Sequence, residues 1–431
     1  MYKVFIFLVS ILPILAIAQD PEQLLLQANQ KMNLGELSKA DSLLRECLKI
    51  DPSFAPAHIG FSELWLRKSD LNKANASATK AVQMDEEFRS WWNGLSDIRT
   101  KIQNGKRNVQ QGQFDVAMQE YQSIVEKYPY FPETQFYMGL TKFRQKDIEG
   151  AAYYFSEALK IYPNHTKARK GLNNVTKQML NNGNKAYKRG DLEKATDYYQ
   201  KSIKYDANFY LAFYQLGVLE KKIGNSESAI SYFNKAITIK PDFYKAWFTL
   251  GTSYEVDNNL DSAIVQYKKA IELNPGYTKA YSNLGNIRLI RKEYEEAKEI
   301  LLTAIQIDPT YSDAYLRLGV VYSEQEMFVE ASEQFKKSTE YDGKNYDTWF
   351  RYASALNSID SFKEASISAQ KCIDLKSNFG GGWYEKGVAE FKNGKEIRAL
   401  KYFEEANKDR NWRKLAQRKI DEINNPTKYQ K

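Results

Sequence analysis

Eleven alanine residues recur along the chain at a near-constant interval, and this periodicity constrains the fold more than any other feature. Eight of the ten intervals between them are 34 residues long, and the other two are 43 and 44. The residues are Ala40, Ala74, Ala117, Ala151, Ala195, Ala229, Ala263, Ala297, Ala331, Ala365 and Ala399. A period of 34 residues is the length of a helix–turn–helix unit that stacks on copies of itself. The sequence therefore predicts an array of about eleven helical hairpins.

Other positions of the 34-residue unit also carry one type of side chain. When each alanine is numbered position 20, position 24 is usually aromatic and position 8 is always small. Position 8 holds Ala28, Ser62, Gly105, Gly139, Gly183, Gly217, Gly251, Gly285, Gly319, Ala353 and Gly387. A glycine inside a helix costs about 1 kcal/mol relative to alanine. Glycine in eight units therefore indicates that the two helices of a hairpin approach each other closely at this position.

Turn-forming residues at positions 15–17 and a frequent proline at position 32 separate the predicted helices. The unit from Tyr244 to Tyr277, YKAWFTLGTSYEVDNNLDSAIVQYKKAIELNPGY, resembles the tetratricopeptide repeat family at nearly every signature position. The resemblance extends over about residues 21–410. It implies an all-α fold, a right-handed α-solenoid of about eleven tetratricopeptide-like helix–turn–helix repeats with a C-terminal capping helix.

The two long intervals divide the array into three blocks. We expect repeats 1–2 in residues 21–88, repeats 3–4 in 89–165 and repeats 5–11 in 166–409, followed by a capping helix and tail in 410–431. Apolar residues in both inserts recur at spacings of three and four, which predicts a lengthened first helix in units three and five. Each extension either enlarges the core or protrudes to dock a partner.

Residues 1–18 have the pattern of a secretory signal peptide. Lys3 precedes a short apolar run that ends in Ala16-Ile17-Ala18, a small-x-small cleavage site. The run is short for a membrane-spanning helix, which needs about 20 residues. We expect cleavage before Gln19 and a periplasmic or extracellular protein, with an uncleaved membrane anchor as the alternative.

The charge and cysteine content add two expectations. The formal net charge is +8, and an exported protein is not expected to meet nucleic acid. Basic residues concentrate in the C-terminal helix, which is either a solvated cap or a contact for an acidic partner or an anionic membrane. Cys47 and Cys372 both fall at the small position 27, nine units apart. We expect two unpaired, buried thiols, because units so far apart do not touch.

Catalytic chemistry has little support in the sequence. The chain has two histidines, and neither lies in a recognisable catalytic or metal-binding motif. His58 falls at position 4, which is a packing position, and His165 follows unit four. We therefore expect no enzyme activity, no cofactor and no metal site.

A partner-binding groove is the stronger hypothesis, and it rests on the family resemblance. In the family, positions 2, 5, 6, 9, 12 and 13 of each first helix tend to face a concave groove. The candidate residues are Tyr214, Phe248, Lys279, Asn283, Asn286, Arg317, Phe350, Arg351 and Tyr384. Asparagine can hold an extended backbone, arginine can hold a carboxylate and aromatic rings can serve as anchors. The alternative is a groove that is merely hydrated.

These observations predict a binding scaffold rather than a specific partner. We expect an exported adaptor that binds protein or extended peptide, acting in a bacterial envelope complex for secretion, outer-membrane assembly or glycan export. A glycan- or peptidoglycan-binding module that uses the aromatic groove is the alternative.

Overall fold

The computed structural model describes residues 20–425, and within this range the protein consists of 23 α-helices and one short 3₁₀ helix, Glu86–Phe88, without a β-strand. The proposed signal peptide and the last six residues lie outside the described residues. The first helices of the hairpins are α1 Pro21–Asn33, α3 Ala55–Arg67, α5 Arg89–Gln110, α7 Pro132–Arg144, α9 Thr166–Lys188, α11 Tyr210–Ile223, α13 Tyr244–Val256, α15 Thr278–Ile290, α17 Ser312–Glu324, α19 Tyr346–Ser358 and α21 Gly380–Lys392. The second helices are α2 Leu37–Ile50, α4 Leu71–Met84, α6 Phe114–Lys127, α8 Ile148–Ile161, α10 Leu192–Tyr205, α12 Ser226–Ile239, α14 Leu260–Leu273, α16 Tyr294–Ile307, α18 Phe328–Tyr341, α20 Phe362–Leu375 and α22 Glu396–Lys408, and α23 spans Arg413–Asn424.

The chain forms two compact units, one up to Ala212 and one from Phe213 onward. Within each unit, the two helices of a hairpin pack together, and the second helix also packs on the first helix of the next hairpin. First helices of consecutive hairpins lie side by side, for example α15 with α17 and α17 with α19. This arrangement confirms the predicted all-α array of stacked hairpins.

The turn inside each hairpin has the same backbone conformation in all eleven repeats. Position 15 has a positive φ, between 56° and 86°, whether it is glycine or not. The residues are Gly35, Ser69, Gly112, Lys146, Gly190, Gly224, Asn258, Lys292, Glu326, Asp360 and Gly394. The next residue closes a Schellman turn, as where the Asp70 N–H donates to the Trp65 carbonyl over 2.8 Å. The turn therefore ends the first helix and sets the direction of the second.

Position 8 is small because a large side chain from position 24 lies directly above it. A Cβ atom added to Gly251 would lie 2.7 Å from Cε1 of Tyr267, and one added to Gly319 would lie 2.6 Å from Cε1 of Phe335. Where position 8 carries a Cβ, position 24 holds a smaller side chain. The three such pairs are Ala28 with Leu44, Ser62 with Ala78 and Ala353 with Ala369.

The helices α5 and α9 have 22 and 23 residues, whereas every other hairpin helix has 13 or 14. Both extensions pack into the core. Leu95 of α5 lies in a buried cluster with Leu66 of α3, and Leu172 of α9 lies in another with Phe155 of α8. The indole N–H of Trp91 also donates to the hydroxyl of Ser62 over 2.9 Å. These contacts agree with a larger core rather than with a protruding helix.

The two cysteines, His58 and the C-terminal helix occupy the buried or capping positions that the sequence predicted for them. Cys47 and Cys372 are buried and unpaired, and burial raises the pKa of the Cys372 thiol to about 12. His58 is buried, and burial lowers the pKa of its imidazole. At the C-terminal end, α23 packs on α22 and buries Ala416. No described helix is both long enough and apolar enough to cross a membrane.

Candidate functional site

The groove face, defined here as positions 2, 5, 6, 9, 12 and 13 of the first helices, is cross-linked by hydrogen bonds between neighbouring repeats in the C-terminal unit. Each bond joins one first helix to the next. The pairs are Tyr214 with Thr249 at 3.2 Å, Lys221 with Thr252 at 2.5 Å, Asn286 with Glu255 at 3.4 Å, Ser282 with Asp313 at 2.6 Å, and Asn357 with Glu385 at 2.8 Å. Much of the polarity of this face therefore holds the repeats in register.

Two of the predicted groove residues, Asn283 and Asn286, meet around a single carboxylate. The hydroxyl of Tyr267 donates to Oε2 of Glu255 over 2.5 Å, and Nδ2 of Asn283 donates to the Tyr267 oxygen over 3.1 Å. Nδ2 of Asn286 donates to the other oxygen of Glu255. Both amide groups are thus oriented, and their carbonyl oxygens receive no hydrogen bond from the described part of the chain. Burial raises the pKa of Tyr267, so its hydroxyl stays a donor.

The two predicted arginines each hold a carboxylate of their own helix. Nε of Arg317 donates to Asp313 and Nε of Arg351 donates to Asp347, both over 2.7 Å and both four residues apart. This spacing is the usual one for an ion pair on a helix, so the pairs could have been predicted from the sequence. Only Nε–H is used in each case, which leaves the outer N–H groups of the guanidinium for another acceptor.

The predicted aromatic anchors are half-buried, because each packs against rings of the array. The Phe248 ring centre lies 5.6 Å from that of Tyr267 and 5.0 Å from that of Tyr277. Tyr214 contacts Phe233 and Phe243, Phe350 contacts Phe379 and Trp412, and Tyr384 contacts Phe403 and Trp412. The candidate Lys279, in contrast, is exposed and has no hydrogen bond or ion pair with any described residue.

Several of these partner rings belong to an aromatic column that the sequence prediction missed. It occupies position 34, immediately before the next first helix. Its members are Phe54, Phe88, Phe131, Phe209, Phe243, Tyr277, Tyr311 and Phe379. The 34-residue period could have revealed this column, because its members recur at the same position of the unit. The column explains why the rings of Tyr214, Phe248 and Phe350 are partly covered.

A buried polar cluster in the N-terminal unit was also missed. Glu133 accepts hydrogen bonds from the Ser69 hydroxyl at 2.7 Å, Nε2 of His165 at 2.9 Å and Nζ of Lys167 at 3.1 Å. Nδ1 of His165 accepts the Ala168 N–H, so Nε2 carries the proton. Burial opposes ionisation of Glu133, but the bonds from His165, Ser69 and Lys167 outweigh it and lower its pKa to about 2.

This cluster is not arranged for nucleophilic catalysis. The Ser69 hydroxyl donates to the carboxylate and not to the imidazole, whereas a catalytic serine must give its proton to the histidine. Among residues 20–425, no group of three or more His, Cys, Asp or Glu side chains is placed to hold a metal ion.

Stacked helical hairpins with a shared turn and a polar first-helix face define a helical-repeat protein. Family models confirm the class. Models described as "TPR repeat" match residues 257–289 and 285–326, and models described as "Tetratricopeptide repeat" match 210–243, 312–345 and 132–165. Three of these segments, beginning at 132, 210 and 312, start at position 1 of a unit. The chain belongs to the tetratricopeptide repeat family, whose members are generally non-enzymatic scaffolds.

Solved structures with a similar fold include other repeat proteins. The crystal structure of MamA protein is 29% identical, with 39% of this chain and 92% of that chain covered and a TM-score of 0.35. YrrB, described as a TPR protein with an unusual peptide-binding site, is 22% identical, with coverage of 43% and 96% and a TM-score of 0.39. The TPR domain of P58(IPK) is 12% identical, with coverage of 95% and 99% and a TM-score of 0.35. A search of curated protein sequences finds no match.

Proposed function

We propose that this protein is a non-enzymatic, exported scaffold that binds extended segments of other proteins along the groove face of its C-terminal unit. The observation that carries the proposal is the pair of oriented amides of Asn283 and Asn286. One N–H of Asn283 donates to Tyr267 and one N–H of Asn286 donates to Glu255, so both amides are oriented and their two carbonyl oxygens remain as acceptors on neighbouring turns of α15. An extended peptide has backbone N–H groups at regular intervals, which suit such acceptors.

The arginines of the next two repeats support a carboxylate on the bound segment. The outer N–H groups of Arg317 and Arg351 form a planar fork that matches a carboxylate. Their own aspartates already balance the positive charge, so a bound carboxylate would share each arginine and would not find an isolated cation. Arg351 is the more accessible of the two, with 39% of its side chain exposed against 22% for Arg317.

We favour protein or peptide over glycan as the ligand. Sugar binding by aromatic residues needs ring faces that are open to solvent. The rings of Phe248 and Phe350 each pack against two others, and this leaves them little free face. The adaptor function in an envelope complex remains part of the proposal and depends on export, for which the sequence of residues 1–18 is the support.

Capture of partners from an envelope fraction tests the binding proposal. Immobilised wild-type protein is compared with Arg317→Ala/Arg351→Ala and with a control that changes Arg398 and Arg410, which lie outside this face. Loss of charge-assisted contacts should weaken capture about tenfold to a hundredfold in the groove variant alone. Circular dichroism should show unchanged helicity, since an ion pair four residues apart on one helix contributes little to the stability of that helix.

Two results would contradict the proposal. If the groove variant keeps its partners at wild-type strength, the groove face of the C-terminal unit is not the binding site. If the wild-type protein captures no specific partner, the scaffold function itself fails. Export is tested separately by mass spectrometry of the native protein, which should find Gln19 at the N-terminus; an intact residue 1–18 segment would favour a membrane anchor.

A further inference from the structure

We propose that the N-terminal unit holds a small-molecule site on its second-helix side, a cleft that binds an aromatic carboxylate through Arg169 and Lys204. The cleft lies between α8 and α10, with the start of α9 at its base, and has a volume of about 440 Å³. This volume is in the range of small-molecule sites. None of its residues belongs to the groove face, so the inference goes beyond the proposed binding of protein segments.

The cleft depends on the lengthened part of α9. Position 1 of repeat five is Thr176, so the earlier residues of α9, among them Arg169 and Leu172, have no counterpart in a 34-residue unit. Leu172 lies in a buried cluster with Leu159 of α8, and Tyr205 of α10 packs against the same cluster. The extension therefore supplies part of the apolar base of the cleft.

The matching place in the other lengthened helix is filled by a tryptophan. Trp91 lies fourteen residues before Gly105 in α5, and Arg169 lies fourteen residues before Gly183 in α9. Both glycines occupy position 8 and each helix is continuous, so the two side chains leave their helices at the same height and in the same direction. The ring of Trp91 packs edge-on against Tyr128, with ring centres 6.1 Å apart. Repeat five has no such ring at this place, and the space beside Arg169 stays open.

Two cations of the cleft are available to an anion. Arg169 and Lys204 are exposed and form no ion pair with any of residues 20–425. Arg169 donates one N–H to the Pro163 carbonyl over 3.4 Å, and Nζ of Lys204 lies 5.2 Å from the centre of the Tyr205 ring. A guanidinium has five N–H donors, so Arg169 keeps a fork that can hold a carboxylate.

The carboxylates at the cleft are already engaged. Glu157 is paired with Lys160 at 2.5 Å. Glu149, beside the cleft, accepts from Lys201 at 3.1 Å and from the Tyr205 hydroxyl at 3.4 Å. Three basic residues and one acidic residue line the cleft, which gives these residues a net charge of +2. Coulomb attraction therefore favours an anionic ligand.

This positive charge is a feature of one junction and not of the repeat. Lys160 and Lys204 both occupy position 29, and repeats four and five are the only neighbouring repeats that both have a basic residue there. In four other repeats the same position is acidic, as Glu126, Glu272, Glu340 and Asp374. The charge and the inserted residues of α9 thus coincide at one place in the array.

Aromatic rings determine the body of the ligand. Tyr153 of α8 is 49% exposed and lines the cleft together with Tyr205 of α10. Tyr153 is held edge-on by Tyr154 with ring centres 5.1 Å apart, and Tyr205 is held by Glu149. Aromatic rings favour offset or edge-to-face contacts with other rings. An aromatic ring that carries one carboxylate therefore satisfies both the walls and the two cations.

Fluorine NMR with para-fluorophenylacetate tests the inference. The probe is titrated with the full-length protein at low salt, and its fluorine signal reports the bound fraction. We expect saturable binding that weakens as KCl is added, because the cations are exposed and screened by salt. The neutral analogue para-fluorophenylacetamide has nearly the same shape and should bind at least tenfold more weakly.

Protein variants assign the binding to the cleft. Arg169→Gln/Lys204→Gln should weaken binding of the acid at least tenfold. The control Lys49→Gln/Lys170→Gln removes the same charge at position 29 of repeat one and at the residue next to Arg169, and it should leave binding unchanged. Arg169→Trp places in repeat five the residue that fills this space in repeat three, and it should abolish binding. Thermal melting should be the same for the glutamine variants and the wild type.

The inference is overturned if the acid and the amide bind equally, or if Arg169→Gln/Lys204→Gln binds the acid like the wild type. A blocked peptide with phenylalanine next to glutamate distinguishes a free molecule from protein side chains. If this peptide binds at least tenfold more tightly than the acid and is lost in the cleft variant, the site takes a partner protein and the small-molecule proposal fails. Arg317→Ala/Arg351→Ala should leave binding of the acid unchanged, so failure of partner capture by the C-terminal unit is a separate result.

Discussion

Replacement of Gly251 by alanine tests the central packing rule of the array, the pairing of position 8 with position 24. The new methyl carbon would lie 2.7 Å and 2.8 Å from two ring carbons of Tyr267. Carbon atoms in contact normally lie 3.5–4.0 Å apart, so the ring must move by roughly 0.8 Å. It cannot move freely, because its hydroxyl is bound to Glu255 and Asn283.

The magnitude follows from two opposing effects. Alanine gains about 1 kcal/mol over glycine in a helix interior. Overpacking in a well-packed core costs about 1–3 kcal/mol. The substitution should therefore destabilise the protein by about 0 to 2 kcal/mol, although alanine is normally the better helix former. Gly251→Leu should be more destabilising, since a larger side chain meets the same ring.

A second background separates the clash from other effects. In Tyr267→Ala the ring is absent, as in repeat ten, where Ala353 is paired with Ala369. There, Gly251→Ala should stabilise by about 1 kcal/mol, because only the helix propensity remains. The sign of the effect should thus reverse between the two backgrounds, and the difference is the coupling energy of the pair.

Native-state hydrogen exchange of peptides from α13 and α14 is the suitable assay. A repeat array need not unfold in one step. Local hydrogen-exchange rates therefore report the stability of this hairpin more directly than the midpoint of a denaturation curve for the whole protein. If Gly251→Ala has the same sign and size in both backgrounds, the ring of Tyr267 is not the reason for glycine at position 8.

Three further predictions concern buried groups. Burial raises the pKa of Glu385 to about 7 despite hydrogen bonds from Asn357 and Ser354, so the folded protein retains a proton that the unfolded chain releases above about pH 4.5. The free energy of unfolding should therefore fall as the pH rises towards 7. Urea unfolding at pH 5 and pH 8 should show a smaller pH dependence of this free energy in Glu385→Gln than in the wild type. The hydrogen bonds of Glu133 lower its pKa to about 2, so its contribution to the free energy of unfolding is present above about pH 4.5 and is lost as the pH falls towards 2. The difference in stability between the wild type and Glu133→Gln should be large at pH 7 and smaller at pH 3. A difference that is the same at both pH values would contradict this. Trp412→Ala removes the ring that packs on Phe350 and Tyr384, and it should lower the local stability by about 3 kcal/mol. Hydrogen exchange should become faster in α23 and stay unchanged in the N-terminal unit.

Much of the fold was predictable, because its contacts recur within one period. The small residue at position 8, the alanine at position 20 and the turn at positions 15–17 each reflect a contact inside a hairpin, which the 34-residue spacing repeats eleven times. The burial of Cys47 and Cys372 followed from the same register. The Asp313–Arg317 pair was equally local and could have been predicted from its spacing.

The state of the candidate site was decided by contacts between hairpins. Asn286 reaches Glu255 from 31 residues away, and Ser69 reaches Glu133 from 64 residues away. These pairs depend on the rotation and offset of one hairpin relative to the next. The repeat period does not specify that geometry, since it determines which residues face the same side but not which of them come within hydrogen-bond distance. The sequence by itself therefore determined the array and its groove face, whereas the tertiary structure decided that Asn286 is held by Glu255 and that Ser69 is held by Glu133.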